Sequence, residues 1–144
     1  MREIKKIVCK TINAVETENV AEAFAKQLKP SDIVLLSGDL GAGKTVFTKG
    51  FVRGAGVKNA EVVSPTFTIM KDYDGKVYHF DLYRLNSIDE FEATGAVEQL
   101  YGNAISVIEW PEVVGFSYFP KTAYVVEINK LGENEREIII RGNN

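Results

Sequence analysis

Cysteine is almost absent from this chain. Cys9 is the only one among 144 residues, which excludes an intrachain disulfide and a cysteine-built zinc site. A lone cysteine in an apolar stretch reads as a small core residue. Basic charge is also short: 17 Lys and Arg stand against 20 Asp and Glu, for a net charge of −3. A protein that grips nucleic acid unaided needs a basic face to displace counterions, so none is expected here. Lys5, Lys6, Lys10, Lys26 and Lys29 crowd toward the start of the chain and read as a solvated face. No apolar run approaches the length of a signal or membrane segment, so no membrane role and a cytoplasmic location are expected. Repeats, linkers and low-complexity tracts are missing too. Residues 1–144 therefore read as one domain, long enough for a real core, with 45% hydrophobic and 26% charged residues.

Against these absences one stretch stands out. Ser37 is followed by Gly38-Asp39-Leu40-Gly41-Ala42-Gly43-Lys44-Thr45, the G-x-x-x-x-G-K-T phosphate-binding pattern. Asp32-Ile33-Val34-Leu35-Leu36 precedes it and reads as a buried parallel strand. Val46 to Arg53 follows, with apolar residues at 47, 51 and 52, and reads as a helix. The glycines allow backbone conformations closed to other residues. Successive N–H groups and the helix start can then cradle an anion. Lys44 reaches β- and γ-phosphates as a point charge, and the Thr45 hydroxyl suits Mg²⁺. Gly38, Asp39, Leu40, Gly41, Ala42, Gly43, Lys44, Thr45 and Val46 form the expected cofactor-binding set. No Asn-Lys-x-Asp element follows that would read guanine, so ATP with Mg²⁺ is the expected cofactor pair.

The rest of the chain supplies the frame. Residues 3–11 read as a strand and 17–28 as a helix ended by Pro30. Residues 61–73 are β-branched and aromatic, interrupted by Ser64-Pro65-Thr66. Asp74-Gly75 signals a hairpin returning as a strand over 76–83. Ser87-Ile88-Asp89-Glu90 is a capping box, so a helix is expected over 88–100, weakened by Gly95. Residues 104–108 form an apolar strand, and 121–130 with 135–141 a terminal hairpin. The expected fold class is α/β, resembling a P-loop NTPase: a mixed, mostly parallel central sheet with flanking helices and a C-terminal β-hairpin.

Hydrolysis needs two further groups, one holding the metal and one orienting water. Glu109 closes the unbroken apolar run Ile105-Ser106-Val107-Ile108 and is the candidate metal-side acid, with Thr45. Asp81 shares a strand side with His79. It is a candidate for positioning water, for a second contact to Mg²⁺, or only for pairing with Arg84. His79 is the only histidine; it reads either as a proton relay or as a hydrogen-bonded core imidazole. Trp110 reads equally as a hydrophobic plug and as a lid or partner contact. Thr66 stands where a switch threonine approaches a γ-phosphate, in a loop stiffened by Pro65.

Four blocks together resemble the TsaE (YjeE) family: the glycine loop, Ser64-Pro65-Thr66-Phe67-Thr68, His79-Phe80-Asp81-Leu82-Tyr83-Arg84-Leu85, and Glu109-Trp110-Pro111-Glu112. Their order and spacing match over nearly the whole chain. The resemblance implies a weak bacterial ATPase. Its role would be threonylcarbamoylation of adenosine 37 (t6A) in tRNAs that read codons starting with A. The implied partners are TsaB- and TsaD-like proteins, with tRNA reached only through them. It implies catalytic roles for Asp81, Lys44 and Thr66 and metal ligation by Thr45 and Glu109. It further implies a switch or partner role for Ser64, Pro65, Thr66 and Trp110. The family's layout puts adenine contacts near residues 11–17. Position 46 departs from it, being Val where a second Thr is common. A small-molecule phosphotransferase is the alternative, although the chain lacks an arginine cluster after the long helix.

Overall fold

Short branched-apolar runs separated by helix-forming stretches become one seven-stranded sheet with helices against it. The computed structural model describes residues 6–39, 41–63 and 69–142. In chain order these form β1 (Lys6–Thr11), α1 (Ala14–Ala25), β2 (Ile33–Ser37), α2 (Lys44–Gly54), β3 (Met70–Tyr73) and β4 (Val77–Asp81). They continue with α3 (Ile88–Ala93), β5 (Ile105–Glu109), β6 (Tyr124–Lys130) and β7 (Arg136–Arg141).

The strands lie in the order β1-β7-β6-β2-β5-β4-β3. β6, β2, β5 and β4 run parallel at the centre, while β1, β7 and β3 join antiparallel at the flanks. The pattern of burial follows from position. β2 and β5 are apolar nearly throughout because both faces are covered. β6 and β7 alternate because helices cover one face only. On that face Phe24, Phe47 and Phe51 of α1 and α2 pack on Val34, Val107, Val126 and Ile138. On the other, Phe80 of β4 meets Phe91 of α3 edge to face, with Leu82, Leu100 and Ile108 around them. Among the described residues no helix is long and apolar enough to cross a membrane.

Several boundaries differ from the sequence expectation. α1 starts at Ala14, three residues early, because the Asn13 side chain accepts a hydrogen bond from the Glu16 N–H at 2.9 Å and caps the helix. Residues 61–63 are not strand, and among the described residues of this stretch Met70–Tyr73 pairs with β4. The expected helix over 88–100 stops at Ala93. Gly95 takes a φ of 78°, and a short 3-10 turn (Ala96–Gln99) replaces the second half. Cys9 faces the helix side of β1 but is half-buried, since β1 is an edge strand. The Asp74-Gly75 hairpin forms as expected, both residues having positive φ.

α1 and α2 cross unusually closely. A Cβ on Gly50 would stand 2.1 Å from the Glu18 carbonyl oxygen, and one on Gly54 2.3 Å from that of Glu22. Arg53 of α2 then reaches both acids of α1, donating to Glu22 at 2.8 Å and Glu18 at 2.9 Å. The Arg53 bond holds the Glu22 carboxyl below its ordinary pKa. This packing fixes the axis of α2, and with it the first turn that carries Lys44 and Thr45.

Candidate active site

The glycine loop links the end of β2 to the start of α2 at the carboxyl edge of the parallel strands. This is the edge where ligands gather in open α/β sheets. Gly43 caps α2 with a φ of 105° and makes no side-chain capping hydrogen bond at the helix start. Gly38 is required for a different reason: a Cβ there would come within 2.8 Å of the Ile128 carbonyl. Thr45 lies exposed in the first helical turn.

Lys44 is 7% exposed. Its Nζ donates to the Gly38 carbonyl at 2.7 Å and sits 4.0 Å from the centre of the Trp110 ring. Burial pulls its pKa down, opposed by the negative fields of Glu109, Asp81, Glu112 and Asp39, in falling order. The two candidate acids end adjacent parallel strands in paired register, Asp81 on β4 beside Glu109 on β5. Register and pleat put both on the sheet face that α1 and α2 cover. Glu109 is 3% exposed, whereas Asp81 is half-buried. Asp81 Oδ1 accepts from the Tyr83 N–H at 3.0 Å, which holds the carboxylate at the strand end.

Trp110 turns the chain sharply after β5. Its φ of 58° is a left-handed conformation that favours glycine, and Pro111 then opens a short 3-10 turn. The reversal lays the indole over Lys44 and against Tyr83, 4.9 Å between ring centres. Trp110 thus covers the loop lysine and also packs, partly buried, against the core around Phe80. Ser37, just before the loop, donates to Glu112 at 2.6 Å and ties that turn to β2.

Arg136 braces the loop from the opposite side. From the start of β7 it donates to the Ala42 carbonyl at 2.7 Å and the Gly41 carbonyl at 3.3 Å. It also donates to the carbonyls of Gly132, Glu133 and Glu135 in its own hairpin. The guanidinium thereby occupies the outward carbonyls of the loop. Beside it opens a small cleft lined by Asn13, Ala14, Thr17, Val46, Glu133 and Arg136.

Against known proteins, residues 11–138 match the family described as threonylcarbamoyl adenosine biosynthesis protein TsaE. The chain belongs to the TsaE family. It is 41% identical over 138 residues to the tRNA threonylcarbamoyladenosine biosynthesis protein TsaE of Bacillus subtilis, covering 94% of this chain and 85% of that one. It is 37% identical to the protein of the same name from Treponema pallidum, covering 92% and 98%. Its structure is similar to the crystal structure of Bacillus subtilis YdiB, with a TM-score of 0.77 and 33% identity over 100% of this chain and 90% of that one.

In this member of the TsaE family, the fold brings together Gly38, Asp39, Gly41, Ala42, Gly43, Lys44, Thr45, Asp81, Glu109 and Trp110. Val46 faces the small cleft instead, beside Asn13 and Thr17. Leu40 and the expected switch residues Ser64, Pro65 and Thr66 lie outside the described residues. Two participants escaped sequence reasoning. Arg136 follows a hairpin with no motif around it, and its partners are backbone carbonyls, which carry no residue signature. Glu112 stood in the last recognised block, but its pairing with Ser37 spans 75 residues.

Proposed function

We propose that this chain binds ATP at the Gly38–Thr45 loop and hydrolyses it slowly with Mg²⁺. In this reading it serves t6A formation at adenosine 37 of tRNAs that read codons starting with A, together with TsaB- and TsaD-like partners, in the cytoplasm. One observation carries the reading: a buried loop lysine flanked by two register-paired carboxylates at the carboxyl edge of a parallel sheet. Lys44 would leave the Gly38 carbonyl for the phosphates. Asp81, the more open acid, would hold the attacking water, and Trp110 would shield the reacting end from solvent.

The donors suit magnesium. Thr45, Glu109 and Asp81 offer only hard oxygen ligands, and no cluster of three metal-binding side chains occurs among the described residues. Magnesium is commonly held by one or two carboxylates together with substrate phosphates. Thr45 and Glu109 would hold it here. Once bound, it would neutralise charge on the phosphate oxygens. The cleft at Asn13, Thr17 and Val46 would take the base. The net charge of −3 leaves tRNA contact to the partners.

The test is phosphate release, measured alone and with TsaB- and TsaD-like proteins. Slow release that rises with the partners is expected. Release that instead requires a small-molecule acceptor would assign the chain to the phosphotransferases. Asp81→Ala is expected to lower kcat by about 100-fold or more while nucleotide affinity changes little, as for loss of a water-positioning base. Equal losses in rate and affinity would make Asp81 a metal or structural group.

Arg136→Met should weaken nucleotide binding by roughly tenfold, because two loop carbonyls lose a charged donor worth about 1.5 kcal/mol or more. A fluorescence titration of Trp110, the only tryptophan, reads this directly. Unchanged affinity would show that the brace is dispensable.

A further inference from the structure

His79 lies two residues before Asp81 on β4, opposite Val107 of β5. Period-2 alternation puts its side chain on the same face as Asp81 and Glu109. The ring is wholly buried. Its Nε2 lies 2.5 Å from Oε2 of Glu109. Where Glu109 serves as an ionised metal ligand its carboxylate only accepts, and Nε2 is then the donor. The other ring nitrogen, Nδ1, is buried with no hydrogen-bond partner among the described residues. One flank of the imidazole stacks on Tyr73, with ring centres 6.4 Å apart and planes 29° apart.

A histidine kept only to fill the core would be a costly choice, since a buried polar atom without a partner is destabilising. The ring's one described hydrogen bond goes to Glu109. Glu109 also exerts the strongest carboxylate attraction on Lys44. We propose that His79 is a positioning residue for Glu109: it anchors Oε2 from within the sheet and leaves Oε1 as the oxygen available to the cation of the site. This inference rests on the reading of Glu109 as the magnesium-side acid. Outer partners that orient a ligating side chain typically matter by about 10- to 100-fold in metal affinity.

The experiment measures binding of a non-hydrolysable ATP analogue by Trp110 fluorescence, once with magnesium and once with EDTA. The difference between the two affinities is the magnesium-dependent gain. His79→Met fills similar space without a donor. It is expected to bind in EDTA like wild type and to lose about tenfold or more of the gain. His79→Gln carries an amide N–H to the place of Nε2 and should keep most of it. A full gain in His79→Met, or equal losses in the Met and Gln variants, overturns the proposal. If His79→Met does not fold, His79→Asn replaces it, because its shorter amide falls short of Glu109. Equal gains in the Asn and Gln variants then overturn the proposal. A wild-type protein with no magnesium-dependent gain overturns the reading of Glu109 itself, and this inference with it. That outcome is read before any variant is made.

Discussion

Lys44→Ala is expected to lower affinity for ATP by two to three orders of magnitude without lowering the stability of the nucleotide-free protein. An ammonium about 4 Å from a phosphate charge is worth about 4 kcal/mol at a near-surface effective dielectric, and each ~1.4 kcal/mol is tenfold in affinity. Stability follows a different account. Lys44 is almost wholly buried and its pKa is depressed, first by desolvation. A lysine whose folded pKa lies below its unfolded value penalises the folded state at neutral pH. That penalty is relieved only as the pH rises through the folded pKa toward 10.5. Alanine removes the penalty along with the bond to Gly38, so the thermal midpoint should hold or rise. Calorimetric titration and a melting curve read both quantities. Undiminished ATP affinity would sink the placement of the site.

Gly50→Ala sets two effects of opposite sign against each other. In an isolated helix, replacing glycine by alanine gains about 1 kcal/mol. In this fold the new Cβ would stand 2.1 Å from the Glu18 carbonyl oxygen and 2.7 Å from its Cα, all backbone of α1. Backbone cannot swing aside as a side chain can, so the helices must part. Overpacking of this kind costs about 1–3 kcal/mol, occasionally more, and the parting also loosens Phe24 against Phe51, now 5.9 Å apart. The steric term wins. With a backbone clash this close the cost falls at the upper end, about 3 kcal/mol, so the net loss is about 2 kcal/mol. That corresponds to a fall in melting temperature of roughly 5–10 °C for a chain of this size. Affinity for nucleotide should fall too, because α2 begins at Lys44. A melting temperature that holds or rises would show that α1 and α2 are free to separate.

The two variants probe different levels of information. The loop around Lys44 was legible because its chemistry is local. Glycine spacing, a branched strand before and a helix after lie within about twenty consecutive residues, and each has its own backbone or charge requirement. The Asp74-Gly75 turn was legible for the same reason, since positive φ at both positions is a demand on residue type. Helix ends were read less well. Asn13 was passed over as a cap, and Gly95 stops a helix that apolar spacing would have continued.

Glu109 and Asp81 lie between these cases. Each is visible as an acid after an apolar strand, but nothing within either segment states that β4 and β5 are parallel neighbours in a register that sets the two side by side. The contacts of His79 with Glu109, Arg136 with Gly41 and Ala42, and Gly50 with Glu18 span between 30 and 95 residues. No periodicity covers such a span, and two of the three end on backbone atoms that every residue shares. Local chemistry in the chain thus marked the glycine loop and the two strand ends that carry Asp81 and Glu109. The order of strands and the close crossing of two helices settled which carboxylate is anchored, what braces the loop and where Lys44 rests. Those are matters of long-range packing, and they exist only once the sheet has closed around them.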